Sequence, residues 1–254
     1  MMRRLSLLRA VALDSFLSGT RDKLFTLFSV FAFTAVYASV LAGVMAVDQE
    51  ARVLSDMGLA LMELTALAYA LFSASTALLR EAETKTIYLV FSRPVPRGLY
   101  LAGKLGGSLL TSALMLAVMA AMHLLLLRLR GFGVPDCYGW ALAGSFLKLA
   151  VITSFALFVS LFSTSAVSTL VISGIMWTLG HFAPEARFLA EKAEGLRAAA
   201  LKTALFLVPN LQLLNARDAS GSACALPAAA LVPAVCWVLA CYLGALWLLR
   251  RKEF

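Results

Sequence analysis

The chain has 254 residues, of which 61% are hydrophobic and only 14% are charged, and its mean hydropathy is +0.88. An ordinary globular domain has roughly 45–50% apolar and about 25% charged residues, so this composition excludes a soluble protein and predicts an all-α integral membrane protein with one transmembrane domain, residues 1–254. The net charge of +8 is divided among the predicted loops and forms no continuous stripe, so we do not expect nucleic acid as a partner.

Residues 1–23 are predicted to form an amphipathic helix on the membrane surface. Apolar residues recur at spacings of three and four from Leu5 to Phe16, and three arginines lie among or just before them. An ordinary basic tail is the alternative.

Six apolar runs are long enough to cross a bilayer, since about 20 residues at 1.5 Å per residue span a hydrocarbon core of ~30 Å. The predicted spans are residues 24–47, 57–79, 99–127, 140–162, 165–183 and 227–249. The apolar stretch from Trp140 to Ala183 is too long for one crossing, so we place a tight turn at Ser163–Ser165. Residues 184–226 are predicted to be an external segment, helical in its first part, with a short apolar stretch at Leu205–Leu214 that is a candidate re-entrant loop.

Lys and Arg residues are concentrated in the N-terminal arm, in the stretch 80–104 and in the C-terminal tail. With an even number of crossings these three regions share one side of the membrane. The positive-inside rule therefore predicts that both termini and the loop 80–98 are cytoplasmic, although Arg128 and Arg130 are local exceptions.

The loop 80–98 combines acidic and apolar side chains with prolines. Glu81 and Glu83 are predicted to begin a short helix, where carboxylates suit the helix dipole, and Pro94 and Pro96 are predicted to end it. Apolar side chains lie between these residues, namely Ile87, Leu89, Val90 and Phe91. Such side chains on a cytoplasmic loop indicate a docking surface, and a solvated loop that only orients the topology is the alternative.

This loop resembles the one between the second and third spans of type-2 ABC (ATP-binding cassette) exporter permeases. That family has acidic residues, a Thr, apolar residues, Ser-x-Pro-x-Ser/Pro-Arg, an aromatic residue and Gly-Lys in this order. The matching residues here are Glu81, Glu83, Thr86, Leu89 to Phe91, Ser92, Pro94, Pro96, Arg97, Tyr100, Gly103 and Lys104. The six predicted spans, the N-terminal helix and the external segment are also similar, so the resemblance covers essentially the whole chain. Val208–Leu211 is similar to a segment of permeases linked to multicopper-enzyme maturation.

The resemblance implies a permease subunit of an ATP-driven exporter in the bacterial cytoplasmic (inner) membrane, paired with a second permease copy in a dimer. It implies that a separate ATPase subunit, which brings ATP and Mg, docks on a coupling helix from Glu81 to Ser92. The implied docking residues are Glu81, Glu83, Thr86, Ile87, Leu89, Val90, Phe91, Ser92, Arg93, Pro94 and Arg97. This chain would then need no cofactor and would not itself be an enzyme. Two alternatives remain, a non-transporting membrane assembly or sensor protein and a secondary transporter, and the sequence does not identify a substrate.

Gly98 to Lys104 also fits the pattern Gly-x-x-x-x-Gly-Lys of a phosphate-binding loop. That loop requires Ser or Thr next, to bind Mg²⁺, and a strand before it, whereas Leu105 follows here and a predicted span continues. We therefore predict no nucleotide site in this chain.

Glu63 and Lys148 are the ionisable residues within the predicted spans, and each costs about 2.5–3.5 kcal/mol to insert. Both are several residues from the predicted external ends of their spans, so they could pair across the bundle. A structural pair and a place on a substrate pathway both remain open.

Met115, Met119 and Met122 recur at helical spacing beside His123 and could supply soft ligands to copper. Core packing is the commoner use of methionine, so we predict no metal site. Cys137 and Cys224 both fall on the predicted external side, where a disulfide is chemically permitted, and the sequence leaves this pairing open.

Overall fold

The computed structural model describes residues 2–45, 49–92, 95–192, 203, 205, 207–215 and 228–251. All regular elements in these ranges are helical, as predicted. The helices are α1 (Met2–Arg21), α2 (Lys23–Met45), α3 (Glu50–Glu83), α4 (Thr86–Phe91), α5 (Arg97–Leu129), α6 (Tyr138–Ser160), α7 (Ala166–His181), α8 (Ala183–Lys192) and α9 (Ala228–Arg251), with a 3₁₀ turn at Gln212–Leu214.

Five of these helices, α2, α3, α5, α6 and α9, are long and apolar enough to cross a membrane. Helices α7 and α8 are bent by 62° relative to each other and would together make a sixth span. The prediction of an all-helical chain with several apolar helices is therefore confirmed, and the five or six candidate spans among the described residues fit a multi-pass membrane protein.

Helix α3 is longer than the predicted span 57–79, because no residue before Thr84 stops a helix. The helix continues to Glu83, and the break comes at Lys85, which takes the left-handed conformation with φ of 58°. Helix α4 begins only at Thr86. The prediction that Glu81 and Glu83 open the loop helix is therefore wrong, since both residues end α3.

Helix α9 ends beside the start of α5. Arg97 Nη1 donates hydrogen bonds to the carbonyl oxygens of Leu249 and Arg250, at 2.8 and 2.9 Å. The Tyr242 hydroxyl donates to the Gly98 carbonyl at 3.0 Å. Because α4 lies between α3 and α5 in the chain, the end of α9 and the loop that contains α4 share one end of the bundle.

The opposite end of the bundle carries the start of α3 and the end of α5. Arg130 Nη2 lies 3.7 Å from Glu50 Oε1 there, and the connection from α5 to α6 follows directly. Arg130 is one of the exceptions to the positive-inside rule, and this ion pair supplies it with a local acidic partner.

Helix α1 packs along α5 at two glycines one turn apart. A Cβ atom at Gly103 would lie 2.6 Å from Val11 Cγ1, and one at Gly107 would overlap Ser15. Small residues at this spacing let two helices approach closely in a membrane protein. The other side of α1 exposes Leu5, Leu13 and Leu17. Of these only Leu5 belongs to the predicted apolar face, so the placement of α1 on the membrane surface stays a prediction.

Helices α3 and α6 form the centre of the bundle. In the apolar window of α6, 67% of residues are buried, whereas only 17% are buried in that of α2. Helix α9 is similarly exposed. The polar side chains that α3 and α6 carry are therefore enclosed by protein.

Candidate functional site

Glu81 lies in a polar cluster where the end of α3 meets the start of α5. Its carboxylate contacts the Lys104 ammonium and accepts a hydrogen bond from the Tyr100 hydroxyl. The Lys104 side chain is only 7% exposed. Because a carboxylate is disfavoured at a helix C-terminus, the contact with Lys104 offsets the unfavourable position of Glu81. Glu81 thus ties α3 to α5 within the chain, and it is not a freely presented docking residue.

A second ion pair lies beside this cluster, between Arg80 Nη1 and Asp22 Oδ2 at 3.3 Å. The two pairs border a polar cavity of about 260 Å³ between α1, α3 and α5. Hydroxyl side chains line much of the rest of its wall, namely Ser15, Ser18, Ser73, Thr76, Thr84, Thr86, Ser108 and Thr111. Thr86, the first residue of α4, is part of this wall.

Helix α4 has an anchored side and an exposed side. Ile87 is 2% exposed and belongs to the main apolar core. The Phe91 ring packs 5.2 Å from the Tyr100 ring, and the Arg97 guanidinium lies 5.7 Å from the Phe91 centroid. Tyr88 is 50% exposed. The helix is therefore fixed to the bundle by its inner side chains while the other side faces outward.

The remaining predicted docking residues lie on α4 or directly beside it. Val90 is half-buried and packs against the main core. Glu83, Thr86 and Ser92 are exposed, and the Thr86 hydroxyl donates to the Glu81 carbonyl at 3.3 Å. Arg93, Pro94 and the side chain of Leu89 lie outside the described residues.

Tyr100, Gly103 and Lys104, which the resemblance grouped with the loop, have internal partners. Tyr100 and Lys104 contact the Glu81 carboxylate, and Gly103 lets α1 pack closely against α5. These residues position α4 and leave its exposed side to make any outside contact.

Glu63 and Lys148 meet in the interior of the bundle. Lys148 Nζ donates to Glu63 Oε1 at 2.8 Å, and the Ser145 hydroxyl donates to Glu63 Oε2, also at 2.8 Å. Both charged side chains are buried. The opposite charges and the added hydrogen bond offset much of the cost of removing the two ions from water.

His181, at the end of α7, joins this group. Its Nε2 lies 3.7 Å from Glu63 Oε1, and its ring packs 4.4 Å from the ring of Trp177. The contact between His181 and the pair was not predicted from the sequence. The only available signal was a histidine at the end of an apolar run, which says nothing about the helix it faces.

The methionines and His123 do not form one group. Met115, Met119 and Met122 line an apolar pocket of about 230 Å³ between α2 and α5. His123 instead lies near the Tyr138 hydroxyl at 3.0 Å and the Leu54 carbonyl at 3.3 Å. No group of three His, Cys, Asp or Glu residues that could hold a metal ion occurs in the described ranges.

Glycine at position 58 makes room for the buried His123 ring. A Cβ atom built there would overlap the imidazole. The His123 ring thus packs against α3 at Gly58, and it does not line the methionine pocket.

Cys137 is disulfide-bonded, whereas Cys236 and Cys241 are free. Cys224, the partner considered from the sequence, lies outside the described residues.

Comparison of the sequence with known proteins finds no family model and no curated protein that matches it.

Proposed function

We propose that this chain is the membrane permease subunit of an ATP-driven ABC exporter, and that α4 receives force from a separate ATPase subunit. The main observation behind the proposal is that Ile87 and Phe91 pack α4 against the bundle, while Tyr88 on the same helix is exposed. The resemblance of the loop sequence to that of type-2 exporter permeases supports the same assignment.

Force applied to α4 has a direct route into the bundle. Helix α4 follows α3 after two residues, Glu81 of α3 is tied to Lys104 of α5, and Arg97 links the start of α5 to the end of α9. A push on α4 would therefore reach three helices of candidate spanning length together. In a dimer of two such chains, tilting of these helices would open a path for the substrate, and the chain would perform no covalent chemistry.

The proposal is tested by copurification from membranes of the native host. The purified wild-type chain should carry Mg²⁺-dependent ATP hydrolysis supplied by the bound ATPase. Glu83→Lys combined with Tyr88→Ala changes the exposed side of the loop and leaves Glu81 in its internal contacts. We expect this variant to lose ATPase activity about tenfold or more, which corresponds to a loss of about 1.4 kcal/mol in binding.

Tyr37→Ala is the matched control, because Tyr37 is an exposed aromatic residue on α2, remote in sequence from the loop. It should retain the copurified activity. Absence of ATP hydrolysis in the wild-type preparation, or equal activity in all three proteins, would contradict the proposal.

A secondary transporter is the second candidate, because the buried Glu63–Lys148 pair is the kind of group that ion-coupled transporters use. The same preparation separates the two functions. A secondary transporter would move its substrate in vesicles without ATP and without a copurified ATPase.

A further inference from the structure

Helix α7 buries small and polar residues and exposes large apolar ones, the reverse of a helix in a soluble protein. Thr169, Ser173 and Gly180 form its buried side and follow one another at spacings of one or two helical turns. Val171 and Ile175, among other large apolar residues, lie on its exposed side. Helix α7 packs against α3 and α6, the helices that carry Glu63 and Lys148, and Gly180 packs against Leu211.

Small polar residues alone could serve close helix packing. Two buried hydroxyls, one on α7 and one on α6, differ from most of the others that the structure describes. Most buried Ser and Thr side chains of the bundle donate to a carbonyl one turn earlier, as those of Thr65, Thr111, Ser112, Ser154 and Ser160 do. Thr153 Oγ1 and Ser173 Oγ have no hydrogen-bond partner, although the two residues are 1% and 0% exposed. Buried hydroxyls without a protein partner normally contact ordered water.

Two further buried polar atoms without a partner lie on α7 and on the segment that packs against the end of α7. Trp177 Nε1 is one, on the same helix as Ser173 and beside the His181 ring. Asn210 Oδ1 is the other, and the amide of the next residue, Leu211, donates to the Gly180 carbonyl at 3.0 Å. At 1.5 Å per residue, Ser173 lies about 12 Å along α7 from His181, and Thr153 lies about 8 Å along α6 from Lys148.

We propose that these groups line a water-filled path within one chain, which runs from the His181 end of α7 to the Glu63–Lys148 pair and continues to Ser173. The path gives small hydrophilic solutes access to the ion pair. The proposal is independent of any ATPase, since it concerns only groups of this chain.

Cysteine accessibility tests the path in the full chain reconstituted in lipid nanodiscs, which expose both faces. Cys236 and Cys241 are replaced by serine, and this background protein gives the rate to subtract. Ser173→Cys and Thr153→Cys place a thiol on the proposed path, and Ile175→Cys places one on the exposed apolar side of α7. The probe is a cationic, membrane-impermeant methanethiosulfonate, and reaction is followed by mass spectrometry.

We expect the thiol at position 173 or 153 to react at least about tenfold faster than the one at position 175, because only a hydrated thiol ionises and meets a charged reagent. N-ethylmaleimide, which partitions into lipid, should label position 175 and so establish that this thiol is present. Cysteine is nearly isosteric with serine, so Ser173→Cys should fold. If it does not, Thr153→Cys, which lies on α6, takes its place in the test. Equal, slow reaction of the path and control thiols with the charged reagent would overturn the proposal.

Discussion

Glu63 and Lys148 form a buried ion pair in which each charge depends on the other. Lys148→Met would leave the Glu63 carboxylate in the interior with Ser145 and His181 but without its close cation. Breaking a buried ion pair in this way typically costs about 3–5 kcal/mol, because the remaining charge is left without its partner. We expect the double variant Lys148→Met with Glu63→Gln to regain much of that loss.

Equilibrium unfolding in detergent measures these changes in the free energy of unfolding. The control is Arg52→Met, which removes an exposed i,i+4 pair with Asp56 and should cost no more than about 1 kcal/mol. A single Lys148→Met variant that is as stable as the wild type would show that the pair contributes nothing to folding.

Helix α4 is only 6 residues long, so its order depends on tertiary contacts and not on helix propensity. Ile87 is the most buried of the described side chains of the helix, and truncation of such a residue to alanine, as in Ile87→Ala, costs about 2–5 kcal/mol. We expect hydrogen exchange of the α4 amides to accelerate more than about tenfold, since each 1.4 kcal/mol is one factor of ten.

Tyr88→Ala provides the comparison for that measurement, because Tyr88 is half-exposed on the same helix. Its α4 amides should exchange within about threefold of the wild-type rate, as surface substitutions usually change stability by about 0.5 kcal/mol. Equal acceleration in the two variants would mean that α4 has no distinct anchored side.

The helices of the bundle were predictable because an apolar run of 20 residues is a continuous signal, whereas the contacts between helices were not. Lysine does not usually break a helix. The sequence therefore gave no sign that α3 would continue to Glu83 and that the break would come at Lys85, in the left-handed conformation. The position of His181 beside Glu63 likewise depends on how α7 packs against α3. The Glu63–Lys148 contact could be anticipated only because two isolated charges in apolar spans need partners.

In the whole bundle, the C-terminus of α9 lies on the same side as the N-terminus of α5, because Arg97 donates hydrogen bonds to Leu249 and Arg250. Helix α6 runs away from the end that carries Arg130. We therefore expect the chain between α6 and α9 to cross the bundle once more, and the bent pair of α7 and α8 is the described segment that can do so. This connection favours six crossings over five.

Sided labelling tests the crossing number directly. In the background that lacks Cys236 and Cys241, single cysteines replace Thr84, Arg251 and Val134, and a membrane-impermeant maleimide is added to inside-out or right-side-out vesicles. With six crossings, Thr84→Cys and Arg251→Cys should both react in inside-out vesicles, and Val134→Cys should react in right-side-out vesicles, as the positive-inside rule requires. With five crossings, Arg251→Cys would react together with Val134→Cys, and α7 with α8 would be a re-entrant element. Because the Arg97 contacts hold the end of α9 beside the start of α5, we expect the first result.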